Sequence, residues 1–188
     1  MLRLLVALIL IPTVALPETW RVDLDQTEIK TEVTYLGRIK LGVEFTRFAA
    51  ALRFDEANVE ATRAEIAVAT ASAQTGLGWI DTLITSDDYL DAAGHPDIRF
   101  RLNRLEQTSR STAILSGEID LLGVTQPLTL DATVFKYGPR DDDPTVKEAG
   151  FTVRGEIDRR DFGNVTGYPD VGARLPLSIR LVLTTAEE

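Results

Sequence analysis

Polar and apolar residues alternate along residues 117–135, GEIDLLGVTQPLTLDATVF. Side chains in a β-strand point alternately to opposite faces, so two such runs around a polar loop predict a hairpin with one apolar and one polar face. The apolar face comprises Gly117, Ile119, Leu121, Leu128, Leu130, Ala132 and Val134. From the alternation alone, this face could pack against a filled core or against a ligand.

The same alternation recurs along most of the chain. It is visible in the segments WRVDLD, EIKTEVTYLG, RIKLGVEF, AEIAVATAS, DIRFRL, GFTVRGEID and RLPLSIRLVL. The number and spacing of these runs predict a mainly β fold, a single antiparallel β-barrel of about eight strands. We find no repeat, low-complexity tract or linker, so residues 16–188 are expected to form one domain.

One long run changes its phase. Leu41, Val43 and Phe45 share one parity, whereas the next apolar residues, Phe48, Ala50, Leu52 and Phe54, share the other. A single change of parity is typical of a β-bulge or of a barrel corner. The sequence therefore predicts either a β-bulge or a barrel corner in this run.

A helical segment interrupts the strands at residues 75–96, TGLGWIDTLITSDDYLDAAGHP. Ile80 and Ile84, and likewise Trp79 and Leu83, are spaced by four residues, as on one face of a helix. The spacing predicts one or two short helical turns, which Gly94 and Pro96 end. Such turns either plug one end of a barrel or form a lid.

The inward positions mix large side chains with Ala50, Gly117, Ala132 and Gly155. Small inward residues leave space for one ligand in a barrel of about eight strands. They also accommodate large neighbours in a filled core. The alternation leaves both interpretations open.

Residues 1–15 have the features of a secretory signal. Arg3 precedes an apolar stretch from Leu4 to Leu16, and Thr13 and Ala15 are the small residues of a cleavage site. The stretch is 13 residues long, whereas a membrane-spanning helix needs about 20. We therefore expect cleavage after Ala15, no stable membrane anchor, and a periplasmic or secreted protein.

Composition and charge exclude several classes of function. The formal net charge of −9 argues against a nucleic-acid partner, which requires a basic surface. The chain has no cysteine, and its one histidine, His95, has no glycine-flanked serine to form a nucleophile elbow. The three aspartates at 141–143 lack the alternating spacing of a calcium loop and predict a solvated hairpin loop. The sequence thus indicates a protein that is not an enzyme and has no metal or cofactor.

Five segments, taken in order, resemble blocks of the YceI-like family, lipocalin-like exported proteins associated with binding polyisoprenoid lipids. The resemblance extends from Trp20 to about Thr185 and includes LGRIKLGVEFTRFAAALRFD, ASAQTG, SDDYLDAAGHPDIRF, GEIDLLGVTQPLTL and IDRRDFG. Three positions depart from the family pattern: Ile80 stands where arginine is frequent, Leu122 where histidine is frequent, and Ala50 where glycine is frequent. These departures concern polar contacts near the pocket mouth more than the fold.

The resemblance implies a barrel whose interior holds a long-chain isoprenoid lipid or an isoprenoid quinone. The expected ligand-binding residues are Phe45, Phe48, Phe100, Leu121, Leu130 and Phe151 along the interior, with Trp79, Leu83 and Tyr89 covering one end. The alternative is a filled β-barrel that acts as a protein-interaction or stress-related module without a small ligand.

The segment IDRRDFG predicts a charged turn at the end of a strand. We expect Arg159 and Asp161 to form a pair that fixes this turn. Gly163 is expected in the left-handed conformation, which glycine adopts without steric cost.

Overall fold

The computed structural model describes residues 19–185, so the predicted signal segment lies outside the described residues. Eleven strands and one α-helix form this part of the chain. They are β1 Trp20–Val22, β2 Glu28–Tyr35, β3 Ile39–Phe45, β4 Phe48–Arg53, β5 Arg63–Ala69, β6 Ala73–Gln74, α1 Gly78–Ile84, β7 Asp97–Gln107, β8 Thr112–Leu121, β9 Val124–Pro139, β10 Lys147–Asp158 and β11 Arg174–Thr185. Short 3₁₀ turns occupy Val59–Ala61, Thr70–Ser72 and Arg159–Phe162.

All eleven strands belong to one curled antiparallel sheet. Its order is β4-β5-β7-β8-β9-β10-β11-β2-β3-β6, and β1 pairs with the end of β11. The predicted mainly β, antiparallel barrel fold is confirmed. The strands number eleven rather than about eight because one long run divides into β3 and β4, and because β1 and β6 are only three and two residues long.

The phase change marks a corner of the barrel, one of the two alternatives that the sequence leaves open. β3 lies near one end of the sheet and β4 at the other, although only Thr46 and Arg47 separate them. Ser72 holds this corner, because its carbonyl accepts from the Thr46 amide at 3.3 Å and its Oγ accepts from the Arg47 amide at 3.1 Å. The chain thereby crosses from one end of the sheet to the other.

The predicted hairpin consists of β8 and β9, which pair Gly117 with Leu128 and Leu121 with Val124. Its turn contains only Leu122 and Gly123, whose φ angles are 55° and 73°. Positive φ at both central residues matches the right-handed twist of the adjoining strands. The turn fixes the register that places the whole apolar face inside the barrel.

The two ends of the barrel differ. We call the end with turns 23–27, 54–62, 108–111 and 140–146 the rim end, and the end with turns 36–38 and 122–123, helix α1 and residues 159–173 the floor end. At the floor end, Ile84 and Leu90 of the helical segment pack against Val43, Phe45 and Val68. The helical segment therefore plugs the floor end.

Arg159 holds together the charged turn at the floor end. It is 4% exposed, and its guanidinium donates to the carbonyls of Val171 at 2.7 Å and Gly172 at 3.0 Å and to the Asn164 side chain at 2.5 Å. The expected Arg159–Asp161 pair is therefore wrong, because Arg159 turns inward to carbonyl acceptors. Gly163 has a φ of 80°, as predicted.

The ion pair of this turn joins Arg160 to Asp158 instead. Arg160 donates to the two Asp158 carboxylate oxygens at 2.9 and 2.5 Å. These hydrogen bonds lower the pKa of Asp158 from 3.8 to about 2.

No helix among residues 19–185 is long and apolar enough to cross a bilayer.

Candidate ligand-binding cavity

A cavity of about 530 Å³ lies inside the curled sheet. Its wall is formed mainly by apolar side chains from nine strands. Among them are Val22, Ile29, Phe48, Ala50, Leu52, Ile66, Val68, Phe100, Leu102, Leu115, Leu128, Leu130, Ala132, Phe151, Val153, Leu177, Ile179 and Leu181. Ligand pockets of roughly 300–1,000 Å³ with mainly apolar walls are typical of small-molecule sites.

The cavity occupies the rim half of the barrel. On β7 the lining runs from Phe100 to Gln107, whereas the next inward residue toward the floor, Ile98, packs into the core. On β10 the lining includes Phe151 and Val153, whereas Ile157 packs against the core below. On both strands the lining therefore ends where packed core begins, and this core closes the cavity toward the floor end.

The inward face of β11 shows that this half is hollow. Leu177, Ile179 and Leu181 point inward and remain only half-buried, whereas Leu183, which packs against Trp20, is 2% exposed. At the floor end, Ile119 is 7% exposed. On the apolar face of the β8–β9 hairpin, Ile119 and Leu130 belong to one packed cluster, and Leu130 also borders the cavity.

Two of the four small inward residues accommodate large neighbours. A Cβ on Gly155 would lie 2.4 Å from Leu130 Cδ2, and a Cβ on Gly117 would lie 2.7 Å from Phe100 Cζ. Leu130 and Phe100 thus pack over glycines of adjacent strands. Ala50 and Ala132, in contrast, lie in the wall of the cavity. The two glycines thus accommodate large neighbours, whereas the two alanines border the space for a ligand.

Polar side chains gather at the rim of the cavity. They are Thr27, Glu56, Thr62, Gln107, Arg110, Ser111, Thr112 and Tyr137. Thr62 Oγ1 is buried and has no hydrogen-bond partner within residues 19–185. A buried hydroxyl without a partner is costly to the fold.

Glu56 connects two segments of the chain at one side of the rim. Its carboxylate accepts a hydrogen bond from the Tyr137 hydroxyl and lies 3.7 Å from Lys147 Nζ. These contacts connect the loop after β4 with the β9–β10 hairpin. On the adjoining wall, the ring centroids of Trp20 and Phe54 are 5.4 Å apart, which joins β1 to β4 where these strands share no backbone pairing.

The structure separates the sequence-predicted ligand-binding residues into two groups. Phe48, Phe100, Leu130 and Phe151 line the cavity together. The others do not. Phe45 is 9% exposed and packs with Val43 and Val68 near the plugged end, and Leu121, 4% exposed, packs in the core around Ile119.

The helical segment lies at the floor end rather than over the cavity, so its residues do not line the interior. Trp79 is 72% exposed and Leu83 is 41% exposed, because α1 turns its Ile84 side toward the core. Tyr89 lies in the turns after α1, where its carbonyl accepts from Asn164 Nδ2 at 2.5 Å.

Sequence reasoning missed most of the β11 wall. Leu177, Ile179 and Leu181 have the alternation of an inward face, and that signal does not distinguish a packed side chain from one that borders a cavity. The polar rim was also missed, because Thr62 precedes β5 and Gln107 ends β7, far apart in the sequence. Their proximity follows from the curl of the sheet.

His95 and the three aspartates at 141–143 lie outside the cavity. His95 Nε2 is 3.8 Å from Asp91 Oδ2 at the floor end. Asp141, Asp142 and Asp143 contact different partners, namely Lys136, Arg140 and Thr145. Within the described part of the chain, no group of three or more histidine, aspartate or glutamate side chains is arranged to hold a metal ion.

Comparison with known proteins identifies relatives over most of the chain. The model of the YceI-like domain matches residues 20–183, which includes all five segments on which the resemblance rests. Protein YceI of Escherichia coli O157:H7 is 31% identical over 151 residues, which cover 80% of this chain and 78% of the relative. A UPF0312 protein of Pseudomonas syringae pv. tomato is 30% identical over 132 residues, covering 70% and 68%.

Solved structures share the fold. BcnA of Burkholderia cenocepacia superposes with a TM-score of 0.76 at 19% identity, covering 86% of this chain and 99% of that protein. A polyisoprenoid binding domain from Saccharophagus degradans, implicated in plant cell wall breakdown, superposes with a TM-score of 0.65 at 11% identity, covering 90% and 99%.

Proposed function

Because the chain belongs to the YceI-like family, we propose that it is an exported, non-enzymatic carrier that holds an isoprenoid-type lipid or isoprenoid quinone inside its barrel. The family and its barrel fold support lipid binding in general. The identity of the lipid and the role as a carrier are the proposal. Its function would be to shield the apolar chain from water during storage or transport.

The observation that carries this proposal is the half-buried inward face of β11. Leu177, Ile179 and Leu181 are only half-buried and border a cavity of about 530 Å³. Each methylene buried in such a cavity contributes about 0.8 kcal/mol. A hydrocarbon chain therefore gains affinity from this wall without polar contacts along its length.

The polar rim gives such a ligand an orientation. Thr62, Gln107 and Arg110 lie at one end of the cavity, whereas the floor is formed by apolar residues such as Phe100 and Leu128. An amphiphilic lipid would bind with its apolar tail toward the floor and its polar end at the rim. The polyisoprenoid binding domain of Saccharophagus degradans, which has the same fold, is consistent with this class of ligand.

Export is part of the proposal and rests on residues 1–15 of the sequence. Arg3, the apolar stretch after it and Ala15 form the pattern of a cleavable signal. A protein that carries lipid outside the cytoplasm requires such a signal. Amino-terminal sequencing of the protein from a periplasmic or culture fraction would test cleavage after Ala15.

Native mass spectrometry tests the binding proposal. The mature protein is purified without detergent, its intact mass is measured, and any bound molecule is extracted into organic solvent. We expect an additional mass that corresponds to an isoprenoid lipid or quinone. An apo mass that persists after incubation with polyprenyl lipids and quinones would contradict the proposal.

One observation favours a second candidate, a protein-interaction module. Leu77, Trp79 and Leu83 are 48%, 72% and 41% exposed on and beside α1, outside the barrel. Exposed apolar patches commonly mark interaction sites. If the protein remains apo, loss of a partner on replacing Trp79 with serine would support this alternative. The cavity itself favours the carrier.

A further inference from the structure

We propose that the size of the cavity limits the length of the ligand tail that it can bury. It accepts an apolar tail of about four isoprene units, and any longer tail stays outside the barrel. This inference rests on the proposed function, since it specifies the lipid that the same cavity holds. Three observations lead to it: the volume of the cavity, the packed floor and the polar rim.

The volume limits the number of carbons. A cavity of about 150 Å³ accommodates one benzene molecule, and the cavity here measures about 530 Å³. By this comparison it holds three to four six-carbon units, or roughly 20 carbons. That is the content of about four isoprene units.

The depth gives a similar limit. The lining of β7 extends from Phe100 to the rim residue Gln107, and the apolar lining of β9 extends from Leu128 to Val134, below the rim residue Tyr137. At about 3.3 Å per residue and a tilt of about 40°, these runs are roughly 15 to 18 Å deep. With carbon–carbon bonds of about 1.5 Å, an extended chain of about 13 to 15 main-chain carbons spans that depth. Three to four isoprene units supply this length.

The floor prevents a longer tail from passing through the barrel. Phe100 packs over Gly117 and Leu130 packs over Gly155, so these glycines offer no additional space. Below them, Ile119, Leu121 and Phe162 are 7%, 4% and 4% exposed and form one packed cluster. Ile84 and Leu90 of the helical segment then plug the end of the barrel. Opening a path would require repacking this whole cluster, which costs several kcal/mol.

The rim determines where an excess of tail would go. Glu56, Thr62, Gln107 and Arg110 surround the open end with polar groups. A ligand longer than the cavity must leave part of its tail at this polar rim, where it gains little from burial. Affinity should therefore stop increasing once the tail fills the space between rim and floor.

A larger side chain at Ala50 should shorten the ligand tail that the cavity accepts. Its side chain lines the cavity, whereas the next residue, Ala51, lies exposed on the outer face of the same strand. In Ala50→Phe the added ring occupies about the space of one benzene molecule, or about six carbons of ligand. Ala51→Phe adds the same group outside the barrel and is the matched control.

The experiment is a competition among all-trans prenyl alcohols, namely geraniol, farnesol, geranylgeraniol and solanesol. Equimolar pairs are added to the mature, delipidated protein, and native mass spectrometry gives the ratio of the two complexes. We expect a gain of at least about tenfold for each isoprene unit up to geranylgeraniol, and no comparable gain from geranylgeraniol to solanesol. Ala50→Phe should bind farnesol as well as geranylgeraniol, whereas Ala51→Phe should retain the wild-type order.

The outcomes separate the two proposals. If affinity increases steadily to solanesol, the cavity does not limit tail length and this inference is overturned, while lipid binding stands. If a folded Ala50→Phe retains the wild-type order, the placement of the tail is wrong. If none of the alcohols binds, the proposed function itself fails. The wild-type series remains decisive if Ala50→Phe does not fold.

Discussion

Leu130 lies directly over Gly155 of the neighbouring strand, where an added Cβ would be 2.4 Å from Leu130 Cδ2. Leu130 is a residue of the cavity wall, and β10 can lie beside it at this distance only because position 155 lacks a side chain. The shape of the cavity near its floor thus depends on a glycine that does not line it.

Gly155→Ala should therefore change both stability and ligand capacity. The methyl group pushes the end of Leu130 into the cavity, and overpacking of this kind costs about 1–3 kcal/mol of unfolding free energy. Chemical denaturation and native mass spectrometry with geranylgeraniol would measure the two effects. Gly42→Ala is the matched control, because a Cβ at Gly42 meets no atom within 4 Å. Equal behaviour of the two variants would contradict the packing described for Leu130.

Phe100→Trp should reduce lipid uptake while the barrel remains folded. Phe100 borders the floor of the cavity, so a larger ring removes space from the buried end of the ligand. Phe135→Trp is the control, because Phe135 is 40% exposed and contacts Arg180 outside the cavity. Uptake is measured by native mass spectrometry and folding by circular dichroism. Undiminished uptake by a folded Phe100→Trp would remove Phe100 from the binding wall.

The adjacent residues Arg159 and Arg160 should differ in their contribution to stability. Arg159→Met leaves the carbonyls of Val171 and Gly172 without their buried donor, and unsatisfied buried groups cost about 1–3 kcal/mol each. Arg160→Met removes a pair that lies largely at the surface, and such pairs contribute little to stability. Urea denaturation of both variants makes the comparison. A larger loss for Arg160→Met would reverse these assignments.

The pair of Asp158 with Arg160 should also appear in the acid stability of the protein. The pKa of Asp158 falls from 3.8 to about 2 in the folded state, mainly because Arg160 donates hydrogen bonds to the carboxylate. A lowered pKa stabilises the fold fully above the unfolded value, and this contribution is lost as the pH falls from about 4 to about 2. The wild-type melting temperature should decrease more over this interval than that of Asp158→Asn.

An exposed carboxylate provides the comparison for this acid titration. Asp88 lies exposed in the turns after α1. The Asp88→Asn variant should therefore show the same decrease in melting temperature as the wild type. Two-dimensional NMR of the Asp158 side chain would report its pKa directly. A midpoint near 4 for that carboxylate would contradict the proposed effect of Arg160.

The strands of this protein could be predicted well because polar and apolar residues alternate within each strand's own sequence. On β7, Phe100 and Leu102 face inward and Arg101 is exposed, as the pattern DIRFRL predicts. The phase change before Phe48 also predicted a bulge or a corner, because side-chain parity is a local property of the chain. Alternation identifies the side of the sheet on which a residue lies, and it carries no information about the distance to the opposite wall.

The candidate site was only partly predictable for that reason. Phe48 and Phe45 have the same residue type and both face inward, yet Phe48 borders the cavity and Phe45 lies in the packed cluster at the plugged end. Similarly, the apolar spacing of α1 did not reveal that Trp79 faces outward. These differences depend on which parts of the chain meet across the barrel.

The sequence by itself therefore determined the strands, their inward faces, the change of phase before Phe48, and the family. Local backbone geometry and side-chain alternation fix these features within a few residues. Only the tertiary structure decided that the rim half is hollow and the floor half is filled. That outcome depends on contacts between distant residues, such as Leu130 with Gly155 and Ile84 with the core around Val43. Volume inside a barrel is a property of all its walls together, and no single strand encodes it.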